Sequence, residues 1–283
     1  FGTFDLVRGD WRRYNQPLNT AQITSSNTTV DVSTVNVLEN ENRIPINYKL
    51  PPGIVREQLN NFNSVIRQNE QSLSLRVQDL EPKDLKGVYK NIDVDMRQYK
   101  RIKMFIHAES LPNRTPLPGD GSLDDLDKSM VAFMRIGTDM TENYYQIEVP
   151  LQPTPYTEGV ANNLSAEEVW QPESNSIDAP LSLFTGAKAK SIQNRSLVGA
   201  TYFDEDLNQI DEFTPISSLP GDKKYKIAVR GNPTLGQVRT LMVGVKNPSE
   251  SPGDYLHGEV WFNELRLAEI DSEGGWASVA ELD

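Results

Sequence analysis

The residues whose types and spacing most suggest chemistry are acidic. Asp204, Asp206 and Asn208 follow a D-x-D-x-N spacing. Calcium loops begin in this way, because a hard cation takes several carboxylate and carbonyl oxygens. The rest of an EF-hand loop is absent, since Gln209 replaces the required glycine and Pro215 replaces the bidentate glutamate. The sequence therefore predicts either a calcium site or a solvated acidic turn at these residues.

Carboxylates for glycoside chemistry are plentiful, but their pairing is undefined. A glycoside hydrolase needs two carboxyl groups about 5 to 10 Å apart across a cleft, and the chain has 40 Asp and Glu residues. The sequence carries no G-x-S-x-G elbow, phosphate-binding loop or H-E-x-x-H pair. We therefore predict no catalytic residue, and a glycoside-active enzyme is the least favoured hypothesis. A second acidic group consists of Asp120, Asp124, Asp125 and Asp127.

Histidines and aromatic rings are the remaining candidates. The two histidines, His107 and His257, are expected to be structural, because neither belongs to a defined catalytic motif. Aromatic rings stack on sugar faces, and Trp170, at the end of a predicted helix, is the candidate ligand-binding residue. Trp261 is expected in the core, on a central strand. The other rings considered for a sugar platform are Tyr144 and Trp276.

Composition excludes several classes of protein. The net charge of −12, from 28 basic and 40 acidic residues, repels phosphate backbones and argues against a nucleic-acid partner. The absence of cysteine excludes disulfides, thiolate metal sites and a cysteine nucleophile. Apolar runs are far shorter than the roughly 20 residues of a membrane helix, so this segment is not expected to span a membrane. The start at Phe1, without methionine, favours a piece of a longer protein.

The elements that must position these residues are mainly strands. The predicted fold is a jelly-roll-like (galactose-binding-like) antiparallel β-sandwich with a helical insertion and an extended N-terminal segment. Short helices are predicted at 165–170, where Ser165 and Glu168 form a capping-box pattern, and at 181–193. Alternation, or short apolar runs bounded by turn residues, predicts strands at 101–109, 130–136, 144–149, 225–230, 240–246 and 258–267.

The first third of the chain has a different character. Valines in short alternating runs between residues 30 and 37 favour extended structure. Apolar residues at spacings of three to five predict an amphipathic helix over 54–69. The predicted division is an N-terminal segment at 1–84 that packs on the main domain, a sandwich at 85–272 with an insertion at about 151–220, and an exit segment at 273–283.

The last predicted strand, 258–267, reads GEVWFNELRL. Its Glu264 and Arg266 are expected to form a cross-strand salt link rather than a catalytic pair. The run resembles the closing strand of galactose-binding-like jelly rolls, which makes a carbohydrate-binding module the alternative function. Strict alternation assigns Trp261, Asn263, Leu265 and Leu267 to one face and Val260, Phe262, Glu264 and Arg266 to the other.

Four separated segments together resemble one known family. They are LENENRIPINYKLPPGI at 38–54, NEQSLSL at 69–75, DMRQYKRIKMFIHAE at 95–109, and the closing run through GGWA at 258–277. In this order they are similar to the SprA (Sov) family of Bacteroidetes, very large outer-membrane proteins of gliding motility and type IX secretion. The similarity extends from about residue 30 to the end of the chain.

The resemblance implies a non-enzymatic soluble domain of an outer-membrane protein translocon. Such proteins form a wide pore, and partner proteins close its side opening and its periplasmic end. The segment is then expected to be a structural cap or an interaction surface for secreted cargo, accessory β-barrel proteins or plug proteins. The implied location is the cell envelope, on the periplasmic or the extracellular face of the outer membrane. Calcium is the one cofactor considered.

Overall fold

The polypeptide folds into two antiparallel β-sheets that pack face to face. The computed structural model describes residues 2–3, 11–18, 27–56, 58–61, 64–67, 69–111, 130–155, 163–193 and 199–270, with the backbone alone at 2–3, 58–61 and 64–67. The prediction of a mainly β, antiparallel sandwich is confirmed. The acidic group at 120–127, Trp276 and the predicted exit segment at 273–283 lie outside the described residues.

The first sheet is built around the longest strand of the fold, which pairs with a neighbour on each side. The order across this sheet is β11 (Ile177–Pro180), β8 (Tyr99–Ser110), β16 (Leu256–Ile270), β6 (Gln71–Leu80) and β3 (Thr29–Asn36), with β1 (Gly2–Thr3) on the C-terminal half of the long strand β16.

The second sheet contains the strands with the most continuous burial, because both of their faces are covered. A separate hairpin joins β4 (Gln58–Asn61) to β5 (Ser64–Arg67). The order across the second sheet is β13 (Gln209–Ile210), β12 (Thr201–Phe203), β14 (Lys226–Arg230), β10 (Tyr144–Pro150), β9 (Val131–Gly137), β15 (Val238–Lys246), β7 (Leu85–Val94) and β2 (Arg12–Arg13).

All six predicted strands are confirmed as β8, β9, β10, β14, β15 and β16. The two predicted helices are also present, as α1 (Ala166–Trp170) and α3 (Ser182–Gln193), with α2 (Pro172–Asn175) between them. Ser165 caps α1 as its spacing predicts: its hydroxyl accepts from the Glu168 amide at 3.2 Å, and the Glu168 carboxylate accepts from the Ser165 amide at 2.7 Å.

The predicted helix over 54–69 is wrong, because this stretch contains the β4–β5 hairpin. The β-branched Val65 and Ile66 favour extended backbone, and the asparagines around them are poor helix formers. The apolar spacing outweighed these propensities in the prediction. The predicted division at residue 84 falls between β6 and β7, which belong to different sheets, and the three-part division of the chain stays a prediction.

The central strand β16 contains a β-bulge that changes which side chains face the core. Its register with β8 shifts between Asn263 and Arg266, and Glu264 adopts a φ of +53°. Beyond this point Leu265 and Leu267 join Val260 and Phe262 in the interior of the sandwich, whereas Trp261 packs on the opposite face. Strict alternation along the run is therefore wrong after the bulge.

The predicted cross-strand link of Glu264 and Arg266 is also corrected. Arg266 Nε donates to Glu264 Oε2 at 2.7 Å, so the pair lies within β16 itself. Both side chains sit at the bulge, where the bond holds two neighbouring positions of one strand together.

Two facing glycines make room for an aromatic ring on the outer face of the second sheet. Gly244 on β15 pairs with Gly87 on β7, and a Cβ at Gly244 would lie 2.6 Å from the Phe133 ring and 2.2 Å from the Lys86 carbonyl oxygen. We predict that Gly244→Ala lowers the free energy of unfolding by about 3 kcal/mol, because the strands must separate to admit the methyl group. Urea unfolding measures this loss.

Gly53→Ala is the matched control for this prediction. Gly53 has a φ of +76°, and no atom lies within 4 Å of the position that an alanine methyl group would take. Only the backbone cost of about 1 kcal/mol is therefore expected. Equal losses in the two variants would contradict the packing explanation.

Candidate functional site

The candidate site is the outer face of the first sheet, which is covered by residues 37–56, here called the strap. A small apolar cluster joins the two, containing Tyr48 from the strap, Trp170 from α1 and Trp261 from β16. The Tyr48 hydroxyl lies 2.9 Å from Ser72 Oγ and accepts from Asn263 Nδ2 at 3.0 Å. The strap is thus fixed to the sheet by both apolar packing and hydrogen bonds.

Arg43 of the strap lies between two carboxylates that face each other on neighbouring strands. Glu109 on β8 and Glu259 on β16 are register partners, and both are buried. Arg43 Nη2 lies 2.6 Å from Glu109 Oε1 and 2.7 Å from Glu259 Oε2, and Nη1 donates to the Ile46 carbonyl at 3.0 Å. The guanidinium also stands 5.1 Å from the centre of the Trp261 ring.

Glu259 has additional hydrogen-bond donors around it. Arg76 donates from Nε at 2.9 Å and from Nη2 at 2.7 Å, Ser74 Oγ at 2.7 Å, and Trp261 Nε1 at 3.0 Å. Burial alone would raise the pKa of the Glu259 carboxyl, but Arg43 and these donors hold it below the ordinary value of 4.5. Burial likewise opposes the charge of Arg43, and the two carboxylates raise the Arg43 pKa above its ordinary value.

His107 lies beside the ion cluster and is fully buried, and its structural role stays a prediction. Its Nδ1 is 2.6 Å from the Val169 carbonyl oxygen and its Nε2 is 3.2 Å from Glu109 Oε2. The ring stacks on Trp261 with the two centres 4.0 Å apart. The other histidine, His257, accepts from the Asp79 amide at 3.0 Å.

The structure does not place Trp170 as an exposed platform. Its ring is fully buried, and its Nε1 donates to the Lys49 carbonyl of the strap at 2.9 Å. The helix end directs the ring toward the sheet, and the strap covers it from outside. Trp261 is buried as expected. Tyr144 is buried too, under the Arg135 guanidinium at 3.8 Å.

Sequence reasoning did not identify Arg43, Glu109 or Glu259 as site residues. A signal existed for Glu259, since it lies two residues before Trp261 and side chains two apart share one face of a strand. Pairing of Glu259 with Glu109 depends on the sheet register, and the insertion of Arg43 depends on the path of an irregular segment. Neither can be read from spacing.

The acidic loop is organised around the Asp204 carboxylate. Its Oδ1 accepts from the amides of Asp206 at 2.9 Å and Asn208 at 2.8 Å, and its Oδ2 accepts from Asn208 Nδ2 at 3.0 Å. The Asp206 carboxylate pairs with Lys223. Both Asp204 oxygens thus have protein donors, as in an Asx turn. Calcium at Asp204, Asp206 and Asn208 stays a prediction, and the described residues contain no cluster of three His, Cys, Asp or Glu able to hold a metal ion.

A second set of buried charges lies on the outer face of the other sheet. The Glu148 carboxylate accepts from Lys246 Nζ at 3.0 Å and from Gln146 Nε2 at 2.7 Å, with Lys226 Nζ at 3.7 Å. Burial opposes ionisation of Glu148, but the two ammonium groups hold its pKa below the ordinary value. The buried carboxylates of Glu109, Glu148 and Glu259 are thus paired with cations and suited to a structural role.

The comparisons with known proteins agree with the resemblance of the four sequence segments. The family described as motility related/secretion protein, SprA_N, matches residues 1–283. The chain belongs to the SprA_N family. It is accordingly a domain of a motility- and secretion-related protein. Membership of this family indicates association with the cell envelope. Among curated proteins, none matches the chain. None of the helices in the described ranges has the length and apolar character needed to cross a membrane.

Solved structures give distant similarities only. A family 11 carbohydrate-binding module from Clostridium thermocellum in complex with a β-1,3-1,4-mixed-linked tetrasaccharide is 10% identical with a TM-score of 0.38, covering 94% of this chain and 93% of that one. The family 11 module of the C. thermocellum cellulase Lic26A-Cel5E is 8% identical with a TM-score of 0.33, over 92% and 97%. An exo-β-agarase is 10% identical with a TM-score of 0.35, over 84% and 26%. These values are too low to bear on function.

The ion cluster predicts a specific response to acid. Because the folded-state pKa of Glu259 is below 4.5, its ionised form stabilises the fold above that pH, and this contribution is lost as the pH falls through the folded-state pKa. Glu259→Gln removes the charge and is expected to cost about 3 kcal/mol at pH 7. Melting curves between pH 7 and pH 3 should therefore show that the difference in melting temperature between wild type and variant narrows on acidification. A difference independent of pH would contradict the pairing of the ionised Glu259 with Arg43.

The acidic loop gives a second prediction. Asp204→Ala removes the acceptor of three loop hydrogen bonds and should lower the free energy of unfolding by about 1–2 kcal/mol, to the same extent with calcium or with chelator. Asp206→Ala is the control, since its exposed ion pair with Lys223 is screened by solvent and contributes little to stability. Thermal melting measures both. A rise in wild-type melting temperature on calcium addition, absent in Asp206→Ala, would instead establish the calcium site.

Proposed function

We propose that this chain is a non-enzymatic structural and interaction domain of an outer-membrane protein translocon. In this proposal the strap is the surface that contacts secreted cargo or accessory outer-membrane proteins. Membership of the motility- and secretion-related family supports the proposal. The observation that carries it is the exposure of three large apolar side chains on the strap, Leu38 at 65%, Ile44 at 71% and Val55 at 82%.

The strap combines an anchored inner side with an apolar outer side. Arg43, directly before Ile44, is held by Glu109 and Glu259, and the Tyr48 amide donates to the Asn40 carbonyl at 2.9 Å. Ordering a free loop costs conformational entropy on binding, and a segment already fixed avoids much of that cost. Single exposed apolar residues are ordinary, but three within one anchored segment favour a contact surface.

The carbohydrate-binding alternative receives less support. Such a module needs exposed aromatic rings on one face or rim, and Trp170, Trp261 and Tyr144 are all buried. A glycoside-active enzyme needs a carboxyl group kept protonated near neutral pH, and the pKa values of Glu148 and Glu259 are lowered instead. These arrangements favour a binding and structural role without catalysis.

The test replaces the exposed apolar groups in the full parent protein. We predict that the triple variant Leu38→Ser, Ile44→Ser, Val55→Ser keeps the melting temperature of the isolated domain within a few degrees, because these side chains are already exposed. The same variant should lose most of the accessory protein or cargo that co-purifies with the parent protein, and secretion should fall with it.

Ile192→Ser is the matched control, since Ile192 is 63% exposed on α3, away from the strap. It should leave both co-purification and secretion unchanged. Normal secretion and normal co-purification in the folded triple variant would overturn the proposal. Equal losses in the triple variant and the control would do the same, because the effect would then not belong to the strap.

A further inference from the structure

A cavity at one end of the sandwich is separate from the strap. It has a volume of about 330 Å³ and opens between the start of β8, the first two turns of α3 and the β14–β15 loop. The Tyr145 side chain forms part of its inner wall, with Met96, Leu181 and Leu235. Small-ligand pockets usually measure about 300–1,000 Å³, so this one suits a ligand the size of one or two amino-acid residues.

The polar side chains around the cavity carry cations and hydroxyls rather than carboxylates or amides. They include the Arg97 guanidinium, the Lys188 ammonium and the hydroxyls of Ser182, Thr185 and Thr234. None of the described residues lining the cavity is Asp, Glu, Asn or Gln. This is unusual on a chain with a net charge of −12, and the local potential at the cavity therefore favours an anion.

Lys188 is the cation that remains available. Its Nζ donates to the Pro233 carbonyl at 2.7 Å, which holds the ammonium at the cavity, and the same carbonyl accepts from the Tyr145 hydroxyl at 3.1 Å. No carboxylate of the described residues lies within ion-pair distance of Lys188. An ammonium has three donors, so two remain for a ligand.

Arg97 is oriented by a neighbouring carboxylate. Its Nε and Nη2 donate to Asp95 Oδ1 and Oδ2 at 3.0 and 2.6 Å, and the hydrogen bonds from Arg97 lower the pKa of Asp95 to about 2. The guanidinium packs against Gly236, where a Cβ would lie 2.8 Å from Nε. Nη1 takes no part in these bonds to Asp95, so its two donors remain for a ligand at the cavity.

We infer that this cavity binds a carboxylate attached to a short apolar body, in the form of the C-terminal residue of a peptide. Lys188 and Arg97 pair with the carboxylate, and the wall of Tyr145, Met96 and Leu181 takes the apolar side chain. Capture of a terminal carboxylate is a recurring mode of peptide recognition. A neutral sugar fits less well, because it brings no negative charge to pair with the Lys188 ammonium.

The experiment titrates the whole chain with N-acetyl-L-leucine, followed by amide NMR shifts and calorimetry. Saturable binding with shifts at Thr185 and Thr234 is expected. N-acetyl-L-leucinamide, which lacks the charge, should bind at least about tenfold more weakly. Lys188→Met should weaken binding of the acid by about tenfold for the same reason, whereas Lys190→Met, an exposed lysine of the same helix, should not.

Ser182→Trp provides a second variant that leaves the core intact, because Ser182 is exposed at the mouth of the cavity. It should abolish binding while the melting temperature is retained. Equal affinity for the acid and the amide, or no saturable binding of either, would overturn the inference. Binding of hexanoate without binding of N-acetyl-L-leucine would also overturn it, since the site would then recognise free amphiphilic acids rather than a peptide terminus.

Discussion

A charge removed from water must be paired, and this constraint governs both outer faces of the sandwich. On the first sheet the β16–β8 register places Glu259 beside Glu109, which is tolerable only with a cation between them. Arg43 supplies that cation at 2.6 and 2.7 Å. On the second sheet the buried Glu148 carboxylate is paired in the same way, with Lys246 and Lys226. The position of the strap thus follows from the charges beneath it.

The bulge in β16 connects this charged face to the core. Before the bulge, Glu259 and Trp261 face the strap while Val260 and Phe262 face the interior; after it, Leu265 and Leu267 also face the interior. One extra residue, with Glu264 at φ +53°, lets a single long strand carry an ion cluster at one end and contribute to the apolar core along its length.

The strap, once anchored, presents Leu38 and Ile44 outward. The cavity beside Lys188 lies at the far end of the sandwich. A partner contact at the strap and a peptide terminus in the cavity can therefore be accommodated independently.

Much of the fold was predictable, because most of its strands and helices have the apolar periodicity and end signals typical of such elements. Six strands, the α1 capping box and α3 follow from periodicity and end signals. β6 has an equally regular alternation of Leu73, Leu75 and Val77 with serines and Arg76, but it lay within the predicted N-terminal segment at 1–84, and no strand was predicted for it. The 54–69 helix failed because apolar spacing was weighed above β propensity. The site was mostly out of reach. Trp261 was correctly predicted to be buried, although it packs under the strap rather than in the sandwich interior. Arg43, Glu109 and Glu259 meet through sheet register and a long-range contact.

The central claim is that Arg43 holds the strap closed over the first sheet. Hydrogen exchange of the strap amides tests this most directly, because the Tyr48 amide is bonded to Asn40 only while the strap is ordered. In Arg43→Met, which keeps the length of the side chain and removes its charge, strap amides between 40 and 48 should exchange much faster while β9 and β10 stay protected. Unchanged protection of the strap in this variant, or a strap that exchanges freely in the wild type, would contradict the account.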